Sequence, residues 1–473
     1  VPSRLADGHR FAFGFEATPV KEADKSMRRH FQTGTGYSPK GMIPRPQLSG
    51  GFWNSWARRP YNNDWGFFEA MLKRANSGKY RQEYIDAYAA NTNRYDRELE
   101  AYAAKLPVMG NETHYQWMKS CRDYQMSTLL SCDRPTYPFK YSDPTLNWTE
   151  EESVPFYKSE WISRSTGYMG ATRNFLTPSY IDYCLFYYKK WQDLGMKGMY
   201  FDDMFPMVCR TPDTCMEKDG AGVWHGNFGI LEMRELVKRA AVMQYLGGVS
   251  PRMIQIHMTN CLLVPSFAFG TSMLSWEDHF GNEVFQKRFP LDYMRAESLG
   301  SQIGAESVAL DGIRQDGWDD KDWRKNRFRF LTRTQQALLL PAGVKTWMRP
   351  WVPFGGVDRE ELFKILEVLS AFEIWTDDCE FKAFYEDDGA IRGAPKDVLV
   401  GSYRKPGKAL VILGDAGGKD LDLALSADAA RLGLSEPLAF TDAETGKPLE
   451  NGRVKLPAWD LRLVLVTERD AQR

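Results

Sequence analysis

From residue 178 onward the chain alternates between two rhythms. Apolar residues recur at helical spacing over 178–194, 231–246, 292–299, 328–339 and 360–374. Between these stretches stand short apolar runs at 195–203, 253–260, 272–276, 307–310 and 345–351. Helix and strand taking turns at this spacing predict βα units and a parallel sheet. The punctuation agrees: Thr177 and Pro178 suit the N-cap and first helical position, and Gly195 and the pair Gly247 and Gly248 suit helix ends.

Upstream the pattern is less regular. Residues 10–19 form a small-and-aromatic run that reads as a first strand, with Glu16 near its end. Residues 80–105 place Tyr84, Tyr88, Tyr95, Leu99 and Tyr102 on one face of a helix, and 126–132 read as a strand leading to Asp133. The stretches 20–60 and 147–173 are aromatic, carry no helical period and are expected to be loops walling a cleft.

Beyond residue 390 or so the rhythm changes to short runs of alternating character. Residues 398–403 and 409–413 flank a turn containing Pro406 and Gly407, a hairpin signal, and 456–466 read as a closing strand. The expected fold class is α/β: a (β/α)8 TIM-type barrel over 1–388 followed by a C-terminal antiparallel β-sandwich over 389–473.

Composition narrows the partners. The 473 residues are 43% hydrophobic and 26% charged, a globular balance, and no apolar run approaches the roughly 18 residues that span a bilayer. A net charge of −1, with no basic cluster interleaved with aromatics, argues against nucleic acid. The 14% aromatic content suits sugar rings as well as cores. Seven cysteines without a C-x-x-C pair indicate neither a zinc site nor a full disulfide framework, although Cys209 and Cys215 flank a short loop and could bridge. No cofactor is expected. The chain opens on Val1 without a leader, and the expectation is a processed or partial bacterial protein of the periplasm or the exterior; oligomeric state stays open.

The chemistry concentrates at strand ends. Residues 195–206 run GMKGMYFDDMFP, so a buried strand delivers Asp202 and Asp203 to a proline-bearing loop, and 272–276 likewise ends on Glu277, Asp278 and His279. In α/β barrels reactions are run where strands end. Adjacent strand residues face opposite ways, so only one of Asp202 and Asp203 can point straight inward. Carboxylates converging on one cleft are the minimum machinery of glycoside hydrolysis: one protonates the departing oxygen, while another attacks, activates water or orients the substrate. Asp202, Asp203 and Glu277 are the catalytic candidates. Sugar contacts are expected from Asp278, His257, His279, Asn260, Trp276, Arg349, Trp347, Glu16 and Asp133; for Arg349, whose fork suits a carboxylate or sulfate, a structural ion pair is the default reading.

The opening FEATPVK at 15–21, the strand GMYFDD at 198–203 and the β tail together resemble glycoside hydrolase family 123 and its relatives. The resemblance implies a barrel with a β appendage, and an adjacent acid pair acting on β-N-acetylgalactosaminides with the substrate's acetamido group as nucleophile. It gives Asp202 the orienting role and Asp203 the acid role, although Asp203 stands where that family has Glu. A second mechanism resembles barrel α-glycosidases, with Asp202 as nucleophile and Glu277 as acid/base in a retaining displacement; such carboxyls lie about 5–5.5 Å apart, against about 6.5–9.5 Å for an inverting pair. A metal-dependent hydrolase held by Asp202, His257 and Asp278, and a carbohydrate-binding protein without catalysis, are the other readings.

Overall fold

The computed structural model describes residues 20–31, 39–44, 47–48, 139–142, 146–147, 161–166, 172–193, 197–202, 208–212, 214–257, 263–277, 281–297, 303–310, 323–347 and 357–469, with single residues 15, 17, 204, 206 and 313. Its centre is a parallel sheet of seven strands: β1 (Gln47–Leu48), β2 (Phe139–Ser142), β3 (Gly198–Phe201), β4 (Met253–His257), β5 (Ser272–Ser275), β6 (Glu306–Leu310) and β7 (Lys345–Trp347). Each strand pairs in parallel with the next one in sequence. That order is singly wound, unlike the reversing order of an open doubly wound sheet. Strand pairing among the described residues does not close the arc into a ring.

Helices fill the crossovers. α1 (Pro178–Asp193) links β2 to β3, α2 (Ile230–Leu246) links β3 to β4, and α3 (Arg329–Leu339) links β6 to β7, with α4 (Arg359–Phe372) following. Shorter helices Val264–Phe267, between β4 and β5, and Phe285–Arg288 and Leu291–Glu297, between β5 and β6, serve two further crossovers. No described helix is long and apolar enough to cross a membrane. The helix expected at 80–105 and the strand at 126–132 lie outside the described residues, as does most of the run 10–19.

One strand goes unannounced in the sequence, and two stretches expected as loops contain strands, the first of them supplying β1. β2 reads Phe-Lys-Tyr-Ser after a proline, with no apolar run to announce it, yet it sits between β1 and β3. The stretch expected as a loop at 147–173 contains an antiparallel sheet instead, in which Thr172–Asn174 lies between Leu146–Asn147 and Ile162–Thr166.

The buried strands sort their side chains by parity. Met199 and Phe201 of β3, Ile254 and Ile256 of β4, and Met273 of β5 pack with Tyr180, Ile181, Cys184 and Tyr188 of α1 and with Leu236, Val237 and Ala240 of α2. The intervening positions Tyr200, Met253, Leu274, Val308 and Leu310 gather into a separate cluster with Met27, on the face away from the helices. β3 and β4 are buried at every position, which explains their near-continuous apolar composition.

The C-terminal part is built on a five-stranded antiparallel sheet. β8 (Glu380–Lys382), β9 (Val398–Lys405), β10 (Lys408–Asp415), β11 (Leu438–Asp442) and β12 (Leu461–Glu468) stand in the order β8-β9-β10-β12-β11. The hairpin read from Pro406 and Gly407 is β9–β10, paired from Val398 with Asp415 to Lys405 with Lys408. Alternation splits β10 between two cores: Ala409, Val411 and Leu413 meet Leu423, Leu425, Val454 and Leu456 of two-stranded ribbons on the outer side. Leu410 and Ile412 belong instead with Leu331, Leu338 and Leu339 of α3. The sheet is thus the middle layer, buried on both faces.

Close approach of sheet to helix needs glycine here. A Cβ on Gly414 would fall 1.9 Å from the Ala337 carbonyl oxygen, and one on Gly401 2.9 Å from Pro341 backbone. The seam is also ionic. Arg333 of α3 donates from Nε to Asp460 Oδ1 at 2.5 Å and from Nη1 and Nη2 to the two Glu444 carboxylate oxygens at 2.9 and 3.0 Å. These hydrogen bonds and charges outweigh burial and hold its guanidinium above the usual arginine range.

Candidate active site

Parity carries two functional groups to one place. Asp202 follows β3 two residues after inward-facing Tyr200, and His257 ends β4 two residues after Gln255. Asp202 Oδ1 lies 2.6 Å from His257 Nδ1. Tyr200 Oη lies 2.7 Å from the same nitrogen and donates to Asp202 Oδ1 at 3.2 Å. An ionised carboxylate only accepts, so Nδ1 carries the ring proton toward Asp202 and Nε2 faces the other way.

That other nitrogen meets the third group. Glu277 Oε2 lies 3.3 Å from His257 Nε2. Strict alternation from Leu274 would turn Trp276 inward and Glu277 outward. The chain breaks the alternation at Trp276, whose φ of 78° is left-handed. A side chain there costs roughly 1–2 kcal/mol, and packing holds it. Trp276 is buried against Phe289 and Tyr293, edge to face with centroids 4.6 and 5.6 Å away. Trp276, expected among the sugar contacts, is therefore a core residue whose backbone turn aims Glu277 at the imidazole.

The result is a line of three groups from three consecutive strand ends: Asp202, His257 and Glu277. Exposure rises outward from the ring, with side-chain values of 5% for His257, 15% for Asp202 and 34% for Glu277. The imidazole stands between two carboxyls, and its Nε2 is near enough to Glu277 for a proton to pass between them without any heavy atom moving far. Trp347, at the end of β7, packs edge-on against Tyr200 with centroids 5.8 Å apart.

A long connection leaves this site and returns to α2. It is tied at its start by the Met204 amide donating to the His257 carbonyl at 3.0 Å. Cys209 and Cys215 form the disulfide that their spacing suggested, and Cys209 bridges to Asn227. The segment then folds into a ribbon of Glu217–Lys218 against Trp224–His225. Asp219 organises its turn, accepting from the Ala221 and Val223 amides at 2.9 and 2.8 Å and lying 2.9 Å from His225 Nε2. Those hydrogen bonds, His225 first, hold its carboxyl below the usual range.

Asp203, Asp278, His279, Asn260, Arg349, Glu16 and Asp133 lie outside the described residues. Tyr200 was missed from the sequence, although its place two residues before Asp202 on an alternating strand was the signal that could have found it. Among the described residues no three His, Cys, Asp or Glu side chains are grouped to hold a metal. A cavity of about 100 Å³ lies at the opposite end of the sheet, lined by Glu306, Lys345, Arg28, Gln336 and Tyr403, away from the three groups.

No protein-family model matches the chain, and no curated protein matches it. The likeness to glycoside hydrolase family 123 thus rests on the quoted motifs alone. Among solved structures the chain is similar to an α-amylase from Geobacillus thermoleovorans complexed with acarbose, at 10% identity and a TM-score of 0.46, covering 74% of this chain and 80% of that one. It is similar to a cycloisomaltooligosaccharide glucanotransferase from Paenibacillus complexed with cycloisomaltoheptaose, at 9% identity and 0.46, covering 73% and 75%. An α-amylase from Lactobacillus plantarum is similar at 9% identity and 0.42, covering 74% and 82%.

Proposed function

We propose that this chain is a glycoside hydrolase acting on an oligo- or polysaccharide. The observation that carries the reading is the Asp202–His257–Glu277 line, in which one imidazole joins a buried carboxylate to a more exposed one at the ends of adjacent strands. Glu277, nearer to solvent and proton-coupled to Nε2, is the general acid that protonates the leaving oxygen. Asp202, held by His257 and Tyr200, is the carboxylate turned to the anomeric centre. An imidazole between two carboxyls favours the wide separation of an inverting pair over the about 5–5.5 Å of a retaining one, so Asp202 activates a water molecule in this reading.

The singly wound strand order supports closure into a (β/α)8 barrel, over a catalytic part ending near residue 388. The Cys209–Cys215 disulfide supports an oxidising location, the periplasm or the exterior.

The test is hydrolysis of a panel of aryl glycosides and glycans by the wild type, Asp202→Asn and Glu277→Gln, with product stereochemistry followed by NMR. Loss of turnover in both variants and inverted product support the proposal, whereas retained configuration makes Asp202 a nucleophile. Activity on N-acetylhexosaminides that survives Glu277→Gln but not Asp202→Asn replaces it with the substrate-assisted mechanism of family 123, in which Asp203 is the acid. A wild type that binds glycans and cleaves none is a binding protein.

A further inference from the structure

The ribbon that follows Asp202 carries chemistry the three-residue line does not use. It leaves β3 at the end where Asp202 stands and re-enters the fold at the N-terminus of α2, so the connection that carries Glu217–Lys218 and Trp224–His225 starts from the end of the sheet at which Asp202 stands. Its base is fixed. Cys209, Cys215 and Met216 pack on Phe175, and a Cβ on Gly229 would already touch that ring at 3.0 Å.

Its tip holds an aromatic side chain in the open. Trp224 is 40% exposed although it sits in a covalently anchored ribbon. The Lys218 ammonium lies 5.4 Å over its ring, which covers one face and leaves the indole oriented. The Lys218 ammonium is the polar group on the ring's own face of the ribbon, since alternation puts Glu217 and its cross-strand neighbour His225, 55% exposed at its side chain and paired with Asp219, on the other face. An oriented ring with an ammonium donor beside it matches a pyranose, which offers an apolar C–H face and a belt of hydroxyls.

We infer that the Glu217–His225 ribbon is a sugar subsite, in which Trp224 stacks on a neutral pyranose unit of the chain remote from the bond to be cleaved. This rests on the glycoside hydrolase reading for the word remote, and on the ribbon alone for sugar binding. Anchoring by Cys209–Cys215 lowers the ordering entropy lost on binding, so the ribbon contributes affinity for longer substrates that a short aryl glycoside cannot use.

The experiment uses the full chain carrying Asp202→Asn, to prevent turnover, and titrates it calorimetrically with maltohexaose, cellohexaose, xylohexaose and N-acetylchitohexaose. The same titration is run after adding Trp224→Ala, and separately Cys209→Ser with Cys215→Ser. At least one hexasaccharide should bind, and loss of Trp224 should weaken it about 10-fold, the equivalent of one aromatic stacking contact. The cysteine pair variant should weaken it to a smaller extent, keeping the inference testable if one variant folds poorly.

Turnover separates this from the catalytic reading. Trp224→Ala in the otherwise wild-type chain should raise KM for hexasaccharide while leaving kcat on an aryl monoglycoside unchanged. Trp224-dependent binding in a wild type that cleaves nothing keeps the subsite and removes the hydrolase. Binding that Trp224→Ala leaves intact, absence of binding by all four probes, or an equal loss on short and long substrates overturns the subsite.

Discussion

Oδ1 of Asp202 and Nδ1 of His257 stand 2.6 Å apart, and that contact decides which ring nitrogen carries the proton. Asp202→Asn keeps the shape but lets the amide present N–H to Nδ1, moving the ring proton to Nε2, where it points at Glu277. Both the charge and the tautomer are then wrong for a proton leaving Glu277. The expected outcome is a fall in kcat of about 10²–10⁴-fold with circular dichroism unchanged. His257→Ala should fall in the same range, and the double variant should be no worse than the worse single one, because both act on one line. Additive losses in steady-state kinetics would separate the two residues.

Tyr200 supports the same carboxylate from below. Its hydroxyl donates to Asp202 Oδ1 and touches Nδ1, so Tyr200→Phe removes one hydrogen bond to a charged group while leaving the ring packed edge-on against Trp347. Such bonds contribute about 1.5–3 kcal/mol, which corresponds to roughly a 10–100-fold loss of kcat/KM if the bond persists in the transition state. Thermal stability should change little. A variant with native kcat/KM makes Tyr200 a packing residue only.

The sequence made β3 and β4 legible because both faces of each are buried, which forces apolar runs, and made the β9–β10 hairpin legible through Pro406 and Gly407. Asp202 and Glu277 could be picked out as strand-end acids. Their partnership could not, since it depends on Trp276 adopting φ 78°, a conformation that a bulky aromatic gives no local sign of favouring. Phe289 and Tyr293 impose it through tertiary packing. β2 escaped notice for a related reason: Lys140 and Ser142 interrupt its aromatics, and only pairing with β3 makes it a strand.

Arg333 gives the seam between α3 and the antiparallel sheet a single point of failure. Its guanidinium, largely buried, meets Asp460 and Glu444, with Glu361 3.6 Å away. Arg333→Ala leaves these carboxylates facing one another without a cation, and truncating one partner of such a group costs about 3–5 kcal/mol. Arg333→Lys should recover little, because an ammonium cannot serve Glu444 through two parallel bonds and Asp460 through a third. Scanning calorimetry should show the melting temperature falling for both variants, the more for alanine. An unchanged transition would show that the glycine contacts at Gly401 and Gly414 hold the seam unaided.

Asp388 is the place where acid should loosen the antiparallel part. Arg404 grips its carboxylate with two bonds of 2.6 and 3.0 Å, and these hydrogen bonds are the main reason its pKa is lowered to about 2. A carboxyl whose folded pKa lies below its unfolded value of 3.8 stabilises the fold above the unfolded pKa, and the contribution disappears as pH falls through the folded one. The window is therefore about pH 4 down to about pH 2. The side chain is more than a third open to water, so screening limits the effect to no more than about 1 kcal/mol. Urea unfolding of the wild type and Asp388→Asn should differ by that amount at pH 6, and the gap should close as the pH approaches 2. A gap that is the same at pH 6 and pH 2.5 would mean that the neutral amide and the acid lose different contacts, and that the Arg404 charge is not what holds this turn.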